Sequence, residues 1–163
     1  MNQHAARQPS WLATIIRGAA AGAVATLAMS IPMLLAGRLG VMGTQPPEAI
    51  VQRTLGWTSR LPWRTAETDA LSSAAHVGFG AAAGIGFALA RQALPAASLP
   101  GAGIVYALGI WASAYLGWVP AMGILPRADR DRPGRPIVMI VAHIVYGVIL
   151  GLLTRRGPQP RID

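Results

Sequence analysis

The chain has no cysteine and no lysine, and only six acidic residues among 163. Without cysteine there can be no disulfide framework, thiolate metal site or cysteine nucleophile. All fourteen basic residues are arginine, and the formal net charge is +8. Charged residues make up 12% of the chain, whereas a soluble domain carries about 25%. So few charges cannot cover a water-exposed surface. What is abundant is apolar: 53% of residues are hydrophobic, alongside 19 Gly and 13 Pro. That balance excludes an ordinary soluble enzyme and points to lipid as the main solvent.

Four stretches free of Asp, Glu, Lys and Arg are each close to the roughly 20 residues a helix needs to cross the hydrocarbon core. They run over about 18–36, 70–90, 101–125 and 136–154, with Arg, Pro or Gly at their ends. The expectation is an all-α polytopic membrane protein, a single four-helix domain over 1–163 with flexible tails at 1–10 and 157–163. The first run is longer than a signal-peptide core, and Gly37-Arg38-Leu39-Gly40 offers no cleavage site, so it is read as a span. Pro32 is expected to kink it. Between the first two spans, Pro46-Pro47-Glu48 opens a short segment in which Ile50, Val51 and Leu55 share a face. It reads as a helix lying at the membrane surface beside Trp57, Arg60, Trp63 and Arg64. The arginines divide six to eight between the two membrane faces, a split that selects no orientation.

A pattern recurs 67 positions apart. Ala75-His76-Val77-Gly78-Phe79-Gly80 with Gly84 matches Ala142-His143-Ile144-Val145-Tyr146-Gly147 with Gly151, both reading Ala-His-x-x-aromatic-Gly-x-x-x-Gly. Two helical hairpins related as parallel repeats would produce it. Helix positions four apart share a face, and in lipid small residues on that face let backbones approach. The expected packing glycines are Gly18, Gly22, Gly80, Gly84, Gly109, Gly117, Gly147 and Gly151. Met29, Met33, Met122 and Met139 read as core filling. Trp111, Tyr115 and Trp118 read as core or lipid-boundary packing.

His76 and His143 form the candidate intramembrane polar pair, at similar depth in matching helices. Their everyday role would be to glue helices by bonding a backbone carbonyl or a neighbour such as Ser72, Ser73 or Tyr115. The sharper alternatives are a proton path, a metal site or two axial ligands to a haem. Asp131-Arg132-Pro133-Gly134-Arg135 resembles a loop motif of major-facilitator transporters. The other spans of that fold are missing, so a solvated loop binding lipid headgroups is expected. No catalytic residue, cofactor site or metal site stands out, and arginines flanking four apolar spans suit phospholipid better than nucleic acid.

Arg17-Gly18 leading to Gly22, Ala25-Thr26 and Met29, Leu39 to Gly43 before Pro46-Pro47, and the two Ala-His segments together carry a resemblance. The chain resembles uncharacterised small bacterial inner-membrane proteins of the YagU type and their relatives. The resemblance implies a multi-pass protein of a bacterial cytoplasmic membrane and supplies no catalytic residue. The resulting expectation is a non-enzymatic structural or interaction component of that membrane. Its partners would be the bilayer and a second copy or another membrane protein. The alternatives are a small transporter or proton-linked permeation protein using His76 and His143, and a haem-binding redox subunit.

Overall fold

The computed structural model describes residues 11–58, 65–93 and 99–155. The expected tails, Arg60, Trp63 and Arg64 lie outside these residues. The helices are α1 (Trp11–Arg38), α2 (Pro46–Thr58), α3 (Thr65–Ala90), α4 (Leu99–Ala112), α5 (Val119–Ala121) and α6 (Arg135–Leu153). Among the described residues there is no strand. Four helical stretches are long and apolar enough to cross a membrane: α1, 66–90 of α3, 99–121, and α6. The fold is thus consistent with a multi-pass membrane protein.

Helix ends follow from local chemistry. α1 runs on past Pro32 to Arg38. It then stops in a Schellman turn, with Val41 N–H on the Ala36 carbonyl, Gly40 N–H on Gly37, and Gly40 at φ 75°. The third span ends the same way at Gly123, φ 66°, with Ile124 N–H on the Val119 carbonyl. α2 starts on the two prolines, and Gln52 bonds Glu48 one turn earlier. The third span is not one regular helix. Ser113–Trp118 is π-helical, and Gly117 leaves the helical region at φ −107°, ψ −105°. Pro120 lies just beyond: it has no N–H for the Leu116 carbonyl and its ring crowds that carbonyl, so the turn before it widens.

Packing pairs α1 with α3, α4 with α6, and α1 with α6. α3 and α4 make almost no backbone approach. Glycine controls the two closest pairs. A Cβ on Gly84 would lie 2.7 Å from Gly22 Cα, and one on Gly18 would lie 2.7 Å from Ala88 Cβ. On the other pair, a Cβ on Gly147 would lie 2.6 Å from Ile104 Cα, and one on Gly151 would lie 2.7 Å from Pro100 Cα. Gly80 backs onto Thr26, whose hydroxyl is tied to the Gly22 carbonyl.

Gly109 and Gly117 behave differently. Both are exposed, and a Cβ at either would meet nothing within 4 Å. The buried small face of α4 carries Gly103 and Ala107 instead. Gly109 lies six residues from Gly103, about 240° around the helix, and so faces away. Of the four methionines expected in the core, Met29, Met33 and Met139 are buried, whereas Met122 is exposed past the end of α5.

Candidate functional site

The glycine contacts occupy one half of the bundle, where the helices are drawn close. Toward the other half, bulky side chains hold them apart, and a cavity of about 320 Å³ opens between them. Small-molecule sites start at about 300 Å³, so the volume suits a compact ligand or part of a longer one. Met29 and Met33 of α1 and Met139 of α6 form the back wall. Pro46, Pro47, Ile50 and Val51 bring the start of α2 against the cavity, so this short helix is part of the wall.

Both sequence-selected histidines line this one cavity. No hydrogen bond joins the two rings. His143 Nδ1 lies 2.7 Å from the Met139 carbonyl oxygen. A carbonyl only accepts, so Nδ1 carries the proton and Nε2 of the neutral ring is an acceptor. His76 has no such cap: its Nε2 is buried without a partner. Two of the three neighbours expected to satisfy it are engaged elsewhere, and Ser73 is exposed. Ser72 Oγ donates to the Thr68 carbonyl, and Tyr115 donates to Asp131.

Trp111 belongs to the site as well, beyond the packing role expected for it. It lines the cavity, stacks on Tyr115 at 5.7 Å, and its indole Nε1–H is buried without a partner. Leaving such a group unsatisfied costs about 1–3 kcal/mol. Other polar groups on the walls are satisfied: Thr26 bonds the Gly22 carbonyl, and Tyr146 bonds the Gly80 carbonyl at 2.7 Å. The walls are therefore largely apolar, and two of the lining residues, His76 and Trp111, carry buried ring nitrogens without a partner. Two imidazoles could ligate a metal or cofactor, but among the described residues no three His, Cys, Asp or Glu are grouped to hold an ion.

Between α3 and α4 the cavity wall is incomplete. Tyr106 crosses the gap near the glycine half, donating to the Ala83 carbonyl at 2.9 Å and packing on Phe87 with ring centres 5.4 Å apart. Beyond that bridge the gap is flanked by Phe79 and Trp118, which line the cavity yet are 57% and 41% exposed.

Near α2, a polar cluster that sequence reasoning placed in solvent is buried. The side chains of Asp131 and Arg135 are 1% and 6% exposed and paired at 2.8 Å. Arg135 Nε also donates to the Met42 carbonyl at 2.8 Å, with Nη2 on the same oxygen. Gly134, at φ 90°, makes the turn that starts α6 and carries Asp131 back toward Arg135. Arg127, Asp129, Arg130 and Arg132 of the same loop are exposed, as expected. The i,i+4 spacing of Asp131 and Arg135 around a glycine was the available signal.

The family model for DUF6789, a family of unknown function, matches residues 12–161. The chain belongs to that family. No curated protein and no solved structure matches it. The match to the DUF6789 model takes in all four spans, α2, the cavity and the Asp131–Arg135 pair.

Proposed function

We propose that this DUF6789 chain is a non-enzymatic membrane protein that binds a small, mainly apolar molecule inside its four-span bundle. The observation that carries this reading is the cavity of about 320 Å³ with two orphan ring nitrogens in otherwise apolar walls. The glycine contacts favour it indirectly. They are used within the chain, between α1 and α3 and between α4 and α6, and so call for no partner. The non-enzymatic part rests on the hydroxyls of Thr26, Tyr115 and Tyr146, each bonded to a carbonyl or carboxylate and none to a histidine.

Two further elements belong to the same reading. We treat α1–α3 and α4–α6 as related hairpins, because the two Ala-His segments both reach the cavity and both first spans end in a Schellman turn. The bacterial cytoplasmic membrane as location rests on the likeness of these segments to the YagU type.

Photolabelling of the protein in lipid nanodiscs with a diazirine-bearing alkane tests the binding role. Adducts are expected on Ile110 and Val51, and Ala114→Trp, which places an indole in the cavity, should remove them. Labelling confined to outward residues such as Val105 and Leu34 in both proteins would overturn the proposal.

A further inference from the structure

The cavity's opening and its orphan nitrogens together define a ligand class more narrowly than its volume does. We infer that the site takes a bilayer-dissolved molecule with an apolar body and a single hydroxyl head, which enters sideways between α3 and α4. The inference rests on the binding role proposed above.

The route follows from packing. Were the two hairpins equivalent, the α1–α6 contact would have a counterpart between α4 and α3, and that counterpart is missing. The aromatic position of the repeat shows where the equivalence breaks. Tyr146 points its hydroxyl across the bundle to the Gly80 carbonyl, whereas Phe79 has no hydroxyl and stands exposed at the gap. The tight glycine contacts lie on one side of the cavity and α2 on the other. The remaining opening faces the hydrocarbon, so the molecule that uses it must already be dissolved there.

The head follows from the nitrogens. Counting along the helices at 1.5 Å per residue, Trp111 sits about 7.5 Å from the Tyr106–Ala83 bridge and His76 about 10 Å. His143 sits about 4.5 Å from Tyr146, whose partner Gly80 is about 6 Å from His76. Along the helices the three residues therefore lie within about 3 Å of one depth. The indole Nε1–H of Trp111 can only donate, and His143 Nε2 accepts once Nδ1–H is given to Met139. A hydroxyl is the smallest head that accepts from the first and donates to the second, with His76 Nε2 able to take either role. A hydrocarbon would leave the nitrogens unpaired. A carboxylate could accept from the indole but would have no proton to offer His143.

Competition photolabelling in nanodiscs tests this, using a diazirine-bearing long-chain alcohol and an alkane of matching length. Alcohol labelling of the cavity is expected to exceed alkane labelling about tenfold, and Trp111→Phe should reduce that preference while alkane labelling persists. Melting of the Trp111→Phe protein and its persistent alkane labelling show that the fold is retained. Equal labelling by alcohol and alkane would overturn the hydroxyl assignment while leaving the binding role standing. So would an unchanged preference in Trp111→Phe, or stronger labelling by the matching fatty acid at neutral pH. Labelling of the cavity by neither probe would overturn the binding role itself.

Discussion

The phenolic hydroxyl of Tyr146 donates across the bundle to the backbone carbonyl of Gly80, 2.7 Å away. The two residues lie in the two segments with matching Ala-His patterns, and this bond ties α6 to α3, a pair with little backbone approach of its own. The Gly80 carbonyl also lies within helical hydrogen-bonding, so losing the hydroxyl does not orphan it. Tyr146→Phe is expected to lower stability by about 0.6 kcal/mol, the average for interhelical bonds in membranes. Thermal melting in mild detergent would show this. A loss several times larger would mean the hydroxyl supports a wider network.

Glycine contacts give a sharper contrast. A Cβ on Gly84 would press on the Gly22 backbone, whereas one on Gly109 meets nothing. Gly84→Ala should therefore cost about 1–3 kcal/mol through overpacking. Gly109→Ala should be neutral or stabilising by up to about 1 kcal/mol, since alanine favours the helix. Equal losses in the two melts would remove backbone proximity as the explanation.

The buried pair makes a third test. Asp131→Asn leaves the Arg135 guanidinium without its carboxylate in a site where it is 6% exposed. The expected loss is about 3–5 kcal/mol. Pairing Asp131→Leu with Arg135→Met should recover part of it, because the unpaired charge is gone. If Asp131→Asn melts with the wild type, the buried ion pair does not stabilise the fold.

The histidines should respond in opposite ways in the ligand-free protein. His143→Leu removes a bond to the Met139 carbonyl and should cost about 1 kcal/mol. His76→Leu removes a nitrogen that has no partner and should be neutral or stabilising. Comparing the melts of delipidated samples checks this. A large loss in His76→Leu alone would reveal an unseen partner for that ring.

The four long helices could be read from the sequence because lipid imposes a length and forbids charge, and both constraints are local. α2 was also legible, since paired prolines followed by Glu48 mark a helix start. What the spacing could not tell was which face of α4 would be buried. Small residues occur on two faces of the third span, and only contact with α6 selects Gly103 and Ala107 over Gly109 and Gly117. The π-helical turn was hidden for a related reason: Pro120 announces a disturbance without saying how the turns before it adjust. The Asp131–Arg135 pair was read as solvated because charge alternation is usually a surface pattern, and its burial depends on a carbonyl 93 residues earlier. The cavity itself had no linear signature. His76 and His143 stood out as polar residues in apolar helices, but Trp111 became part of the site only when four helices converged.

Arg135 gripping the Met42 carbonyl has a consequence for biosynthesis. Translation delivers the loop after α1 long before it delivers α6, so that carbonyl waits for its guanidinium partner until the final span is inserted. The loop after α1 gains this fastening only when α6 docks, and a nascent chain halted before Arg135 would leave the Met42 carbonyl without it.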